Sequence, residues 1–512
     1  MPEGPELDEP MPKQESSSSS AAAAAKRKKG GGRPDFVTPE YIAAQRAKRE
    51  QAKADRARRN AELGISVPAE PVFDTNFRKR PMLSVCGNGR RGTERGGFVD
   101  VKIMTYNVLG QALIRRKLFP TNGEALKWRW RSKMLLAELT YYDADIMCLQ
   151  EVDLAHMDTF YEPELRRLGY EFVFHRGEGK NHGLALCWKT SLCSLVRSES
   201  VDYDNDNGYD PADVGARPTT PQARTRNVAC LVGLKFNQPD TGGVVVGTTH
   251  LFWHPHGTFE RTRQAAVLVR NAKTFAAQID GGRWPVFLAG DFNSLPFDSP
   301  YLCLTKPKET RNTGHSYEVL RSSWEHEYKK KQDAADEGED EEDEDEEETD
   351  MPEAGEPKML VEFGPDRTSG PVADRPETAV DGSSRRSTID EIMRLHDNNR
   401  VLLRSLYGGC YRYVHAANAD VEVRNGEPAF SNWAFTWRGL LDYIFVVEYP
   451  GRGGTGDRGE IVEGVKVVEL LRLPEPAEMG DEPSGQPREG QYPSDHLCLM
   501  ATVRLGQRVI VE

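Results

Sequence analysis

From residue 99 onward, short apolar runs alternate with polar, turn-forming stretches. VKIMTYNV (101–108) alternates in part, as a half-buried strand does, whereas DIMCLQEV (145–152) is apolar almost throughout, as suits a strand covered on both faces. YEFVFHR (170–176), LALCWK (184–189), VACLVGLKF (228–236), VVVGTTHLF (244–252), VFLAGDF (286–292), DYIFVVEY (442–449) and LCLMATV (497–503) also read as strands. Helical spacing governs 258–279, where Leu268, Ala272, Phe275, Ala276 and Ile279 recur on one face. A second helix is expected around 124–141, with Leu135, Leu136 and Leu139 among its apolar positions. Strands outnumber helices, and several need cover on both sides. The pattern predicts an α/β fold over residues 99–510: two packed mixed sheets flanked by helices, a four-layer αββα sandwich.

The stretches outside that pattern are polar. Residues 1–98 read as an arm: a Ser run and an Ala run that cannot bury enough apolar surface to order, then a basic segment. Thr38, Pro39 and Glu40 form a helix-start signal, so a helix over 39–62 is expected, with no apolar stripe. Between residues 26 and 59 there are twelve basic and four acidic side chains. KRKK (26–29) is either a nuclear import signal or a solubilising cluster. Residues 202–224 are expected as a polar surface loop and 329–389 as a disordered insertion. The formal net charge of −13 arises in that insertion, because residues 333–350 hold 14 acidic residues and no basic one, leaving −13 + 14 = +1 elsewhere. An acidic total therefore does not argue against a nucleic-acid partner, since charges act over about 10 Å. The acidic block itself reads as a solvated insertion or as an RNA mimic competing for the basic arm.

The 8 cysteines include no CxxC pair and several lie within apolar runs, which suits buried thiols in a reducing, intracellular compartment, nucleus, nucleolus or cytoplasm. No apolar run approaches the ~18 residues of a membrane span, and the acidic MPEGPELDEP opening is unlike a secretory signal.

The candidate chemistry sits where the apolar runs end. Asn107, Glu151, His250, Asp291, Asn293, Asp442, Asp495 and His496 each lie at or beside the edge of a strand-like run. Singly, an Asp or Asn there is a cap or turn former. Together they are the inventory of metal-assisted phosphoester hydrolysis: hard oxygen ligands for Mg²⁺, and imidazoles and amides for phosphoryl oxygens.

The motifs holding these residues, TYNVL (105–109), LQEV (149–152), THLFWHP (249–255), GDFNS (290–294), LDYIF (441–445) and PSDHL (493–497), occur in an order that resembles the exonuclease–endonuclease–phosphatase superfamily. QALIRRKLFP (111–120) and HLFWHPHGTFERTRQ (250–264) resemble its fungal Ngl-type RNA exonucleases, relatives of nocturnin and the deadenylases. The resemblance covers about residues 99–325 and 390–505. It implies a DNase I-like fold and a 3′–5′ exonuclease using Mg²⁺, with Mn²⁺ as a substitute, that acts on single-stranded RNA 3′ ends in ribosomal RNA precursor processing or poly(A) removal. It also implies Glu151 as principal metal ligand with Asn107 beside it, Asp291 orienting or deprotonating the attacking water, and Asn293, His250 and His496 on the phosphate. Asp495 would orient His496, and Asp442 would complete the acidic cluster. Trp437 and Pro255 would sandwich the terminal base, although Trp437 also reads as plain core. His254 and His256 read as surface-loop residues. The catalytic set alone is shared with apurinic endonucleases, inositol phosphatases and sphingomyelinases. Two other readings stay open: a nocturnin-like phosphatase acting on a phosphorylated dinucleotide, and a non-catalytic RNA- or ribosome-binding protein using the basic arm. No leucine-rich repeat is present for docking on a deadenylase scaffold, and no membrane partner is expected.

Overall fold

The computed structural model describes residues 73–85, 98–115, 118–208, 219–312, 314–326, 382–435, 438–480 and 484–506, with positions 51, 55, 58 and 59. The expected 39–62 helix and most of the acidic insertion lie outside them; the four isolated positions are helical.

The strands, in chain order, are β1 (Met82–Ser84), β2 (Phe98–Asn107), β3 (Ile146–Asp153), β4 (Tyr170–His175), β5 (His182–Lys189), β6 (Cys193–Asp202), β7 (Val228–Phe236), β8 (Gly243–His250), β9 (Val286–Asp291), β10 (Leu402–Ser405), β11 (Asn432–Trp433), β12 (Arg438–Gly439), β13 (Asp442–Glu448), β14 (Glu460–Val462), β15 (Val465–Leu471) and β16 (Leu499–Gly506). One sheet runs β1-β15-β16-β2-β3-β5-β4, with β14 against β15; the other runs β10-β13-β9-β8-β7-β6. The flanking helices are α1 (Trp128–Tyr142), α2 (Thr258–Asp280), α3 (Ser299–Thr305), α4 (Gly314–Glu325) and α5 (Gly382–Asn399).

Side-chain alternation explains the layers. On β2, Ile103 faces the second sheet, where it joins Cys148 and Leu186 against Val232, Val246, Phe287 and Ile444. Its neighbours Met104 and Tyr106 face the opposite way, onto Leu135 and Leu139 of α1. On the far side, Leu268, Ala272 and Phe275 of α2 cover Val245, Leu288 and Phe445. The result is helix, sheet, sheet, helix, as the near-continuous apolar runs predict. Each such buried side chain contributes about 1.5–3 kcal/mol. Helix α2 stops at Gly281, whose φ of 73° lets its N–H turn back to the Ala277 carbonyl.

Several boundaries differ from expectation. Ordered packing begins well before residue 99: β1 pairs with β15, Phe77 packs with α1 residues, and buried Arg80 donates to the Cys498 carbonyl at 2.9 Å. Its cover is a cationic stretch, FRKRPML, with no strand periodicity to announce it. Strand β6 escapes the apolar pattern because it lies at a sheet edge with most of its residues half-buried or exposed. The 202–224 stretch is more than surface: Tyr203 is buried against Thr249 Oγ1 at 2.8 Å, and Asp206 pairs with Arg270 of α2. Helix α5 begins at residue 382, inside the expected insertion. The seven described cysteines are buried thiols, none in a disulfide. Among the described residues no helix is long and apolar enough to cross a membrane.

Candidate active site

Strand direction brings the polar strand ends together. β2 and β3 are parallel with Asn107 opposite Gln150, and β8 and β9 are parallel with His250 opposite Asp291. Antiparallel β13 starts with Asp442 opposite Asp291, and His496 lies just before β16, which pairs with β2. One edge of the sandwich thus receives residues from both sheets.

Asn107 ties them. Its Nδ2 donates to Glu151 Oε1 at 2.9 Å and to Asp291 Oδ2 at 3.1 Å. The other Glu151 oxygen accepts the Gly110 N–H at 2.8 Å. Asp291 Oδ2 also lies 3.6 Å from His250 Nε2 and 3.7 Å from His496 Nε2, while Oδ1 accepts the Asn293 N–H at 2.8 Å. Glu151, Asn293, Leu109 and Arg226, all on one cleft, have φ between 47° and 57°, a region costly for residues with a side chain. Such strain persists only where surrounding contacts hold it, as the hydrogen bonds to Glu151 and Asn293 do here.

One partner differs from expectation. His496 Nδ1 donates to Asp442 Oδ2 at 2.7 Å, so Asp442, not Asp495, sets the ring's tautomer. The chain bends at residues 493–495, and Asp495 turns instead toward Asn432 Nδ2 at 3.5 Å and Ser494 Oγ at 3.4 Å. Asp442 is in turn held by Ser431, whose hydroxyl donates to Oδ2 at 2.7 Å and accepts the Leu441 and Asp442 N–H groups at 3.0 and 3.1 Å.

These contacts divide the charges. Burial would depress the His496 imidazolium, but Asp442 and then Asp291 hold its pKa well above the ordinary histidine range. Burial, then Asp442, push the Asp291 carboxyl up against the pull of His250 and His496. Burial also favours the neutral Glu151, yet His250, His182 and the hydrogen bonds from Asn107 and Gly110 more than reverse it, leaving that carboxyl below its usual value. Asp495 is pushed up to about 6 by burial and by Glu151, against His496. The cleft therefore carries an anionic Glu151 and a cationic His496, with Asp291, within 3.7 Å of both His250 and His496, and Asp495 as carboxyls of raised proton affinity.

Glu151, His250, Asp291, Asn293, Asp495, His496 and Pro255 line one cleft. Asp442 stands behind His496, and Trp437 lies outside the described residues. The structure adds residues the strand-end pattern missed. Lys180 Nζ donates to Asn227 Oδ1 at 2.8 Å, and Asn227 Nδ2 to the His250 carbonyl at 3.1 Å. Lys180 and His182 sit on the cleft, and His182 is kept neutral, its pKa pushed to about 3 by burial and Lys180. The polar KNH before LALCWK was their available signal.

The donor set fits a hard cation. Asp291, Asp442 and His496 offer ligand atoms within 4.8 Å of one another, and buried Asp442 Oδ1 accepts no hydrogen bond. Imidazole is a poor Mg²⁺ ligand and Nδ1 of His496 is already engaged, so the Glu151 carboxylate is the more suitable ligand; Asn107 holds it through Nδ2, while Asn107 Oδ1 accepts the Leu109 N–H at 3.1 Å.

A model of the endonuclease/exonuclease/phosphatase family matches residues 104–304. RNA exonuclease NGL2 of Saccharomyces cerevisiae is 36% identical over 495 residues, which cover 92% of this chain and 89% of NGL2. A Schizosaccharomyces pombe protein named as a probable RNA exonuclease is 38% identical over 493 residues, covering 93% of this chain and 89% of its own. Among solved structures, ANGEL2, a 2′,3′-cyclic phosphatase in complex with adenosine-2′,3′-vanadate, matches 81% of this chain and 99% of its own with a TM-score of 0.49 and 22% identity.

Proposed function

Starting from a chain that belongs to the endonuclease/exonuclease/phosphatase family, and so is a hydrolase, we propose that it is a Mg²⁺-dependent RNA 3′–5′ exonuclease releasing 5′-nucleoside monophosphates. The observation that carries the reading is Asp291 Oδ2, held among Asn107 Nδ2, His250 Nε2 and His496 Nε2 on a cleft that also contains Glu151. The names of the two yeast relatives, similar over nearly their whole length, support RNA as the substrate.

The residues divide the work as follows. Glu151, held by the Asn107 amide N–H, would take the cation, which when bound neutralises phosphoryl charge and helps activate water. Asp291, its proton affinity raised, accepts the proton of the attacking water. His496, kept cationic by Asp442, donates to a phosphoryl oxygen as negative charge builds there, with His250 and the Asn293 amide alongside. Attack at phosphorus breaks the bond to the preceding 3′ oxygen, so the terminal nucleotide leaves with a 5′-phosphate. Pro255 offers a face for that nucleotide's base, with Trp437 as its proposed partner. Ribosomal RNA precursors or poly(A) are the proposed physiological substrates, with the basic arm gripping RNA or precursor particles.

The test uses the purified full chain and a 5′-labelled oligoribonucleotide. A ladder shortening from the 3′ end is expected with Mg²⁺ or Mn²⁺, and none with EDTA or in Asp291→Ala. Internal cuts would replace the exonuclease reading with an endonuclease. Intact RNA alongside phosphate release from a phosphorylated dinucleotide would transfer the assignment to a phosphatase. Intact RNA and dinucleotide in well-folded protein would leave a binding protein.

A further inference from the structure

The cleft has a second wall that the chemistry above does not use. Leu109, Leu113, Leu118 and Phe119, with Arg115, line it beside the carboxylates. Leu109 and Phe119 belong to a small apolar cluster with Leu126, separate from the main core, and Leu113 and Leu118 are only half-buried. Aliphatic surface left to water beside several carboxylates is unfavourable unless a ligand covers it.

The wall is fixed in place relative to the reacting groups. Gly110 N–H donates to Glu151, Ala112 N–H donates to Asp153 Oδ1 at 3.1 Å, and Gln111 N–H donates to Asp153 Oδ2. Buried Arg131 clamps the other side, donating to the Val108 carbonyl at 2.6 Å and to Gln111 Oε1 at 3.1 Å. A phosphodiester carries a nucleoside on each side, and Pro255, from a different segment, is assigned to only one of the two bases. The remaining base is flat, apolar on its faces, and joined to the same phosphate.

We propose that the wall of Leu109, Leu113, Leu118 and Phe119 is a second nucleobase subsite, taking the base of the nucleotide that precedes the scissile phosphate, with Arg115 on the next phosphate toward the 5′ end. The inference rests on the RNA exonuclease reading and gives it a minimum substrate: a strand with at least one nucleotide upstream of the bond. Aliphatic side chains form no hydrogen bonds with base edges, so the subsite senses the presence of a base and not its identity.

Two 5′-labelled oligoribonucleotides test this, one intact and one abasic at the penultimate position, with rates measured for removal of the last nucleotide. Covering one base face with aliphatic side chains removes apolar area from water worth roughly tenfold in binding, so the wild-type chain should cut the abasic strand about tenfold less efficiently, chiefly through KM. The Leu113→Ala/Leu118→Ala variant should reduce that ratio to below about threefold, on the same scale. Equal efficiency of the wild-type chain on both strands overturns the subsite without recourse to any variant, and so does an undiminished ratio in the folded double variant. Should that variant not fold, Arg115→Gln reports instead: its salt dependence on the intact strand should flatten by about 0.7 in log–log slope, the share of one single-strand phosphate contact. An unchanged slope counts against the assignment. If neither strand is shortened, the exonuclease reading fails and the subsite with it, a result distinct from equal cutting of both.

Discussion

Replacing Asp442 by Asn isolates the charge behind His496. Asp442 Oδ2 accepts from both Ser431 Oγ and His496 Nδ1 at 2.7 Å, while Oδ1 accepts no hydrogen bond. An Asn can keep its oxygen at the first position and place its NH₂ at the second, so the geometry survives and the negative charge does not. At 2.7 Å and an effective dielectric near 20, the lost attraction is 332/(20 × 2.7), about 6 kcal/mol. Both groups are buried, and desolvation offsets part of that, leaving the roughly 3–5 kcal/mol lost when one partner of a buried pair is removed. Asp291 still faces the ring at 3.7 Å, which favours the lower end. About 3 kcal/mol corresponds to a loss of roughly a hundredfold in kcat/KM if the imidazolium acts in the transition state. Single-turnover shortening of labelled RNA measures it, with a thermal melt to show that the chain remains folded. The double variant Asp442→Asn/His496→Ala should be no more than about threefold worse than His496→Ala, because the carboxylate acts through the ring. Losses that multiply would refute the coupling, as would an Asp442→Asn chain within a few-fold of wild type.

Three further outcomes follow from other parts of the molecule. Buried Glu427, pushed up to about 7 by burial, accepts from Tyr301 Oη at 3.0 Å through Oε1, while Oε2 has no hydrogen-bond partner. The folded state holds this proton more tightly than the unfolded state, so the group's stability contribution is complete below about pH 4.3 and is lost as pH rises toward 7. Glu427→Gln should flatten the fall of the thermal midpoint over that window, and parallel profiles would contradict it. Gly290→Ala places a Cβ 2.1 Å from the Thr249 carbonyl oxygen, next to the His250–Asp291 pairing. Separation of β8 and β9 should cost at least about 1–3 kcal/mol, seen as a lower midpoint and lost RNA cleavage; a wild-type melt would show that the strands tolerate it. Deleting residues 1–60 removes the basic arm, and RNA binding should weaken and lose salt dependence while cleavage of a short oligonucleotide changes little. Equal binding at every salt concentration would exclude the arm from substrate capture.

Where a residue's environment is set by its own strand, the sequence was informative. β3 and β9 are apolar on both faces because both faces are covered, and their first charged positions, Glu151 and Asp291, are where each strand reaches the cleft. The same logic placed Asn107, His250 and His496. It failed where cover comes from elsewhere. β6 is an edge strand whose polar residues are mostly exposed, and β1 is made a strand only by β15, almost four hundred positions later in the chain.

The residues that hold the site's side chains in place were illegible for a related reason. Ser431 is fully buried and joins Asp442 to its own backbone, yet a serine in AFSNW has the composition of any turn. The pairing of His496 shows the limit more sharply. Adjacency made Asp495 the natural partner, but the chain bends at residues 493–495 and directs the Asp495 carboxylate to Ser494 and Asn432, while the His496 ring meets Asp442. The partner must arrive on another strand, and β13 delivers Asp442 because its first residue is in register with Asp291. Removing the charge of Asp495 should therefore leave the His496 tautomer intact, whereas a one-residue slip of β13 would turn Asp442 to the other face and release the ring. Site geometry of this kind depends on sheet register, and register is decided by long-range pairing that no local stretch records.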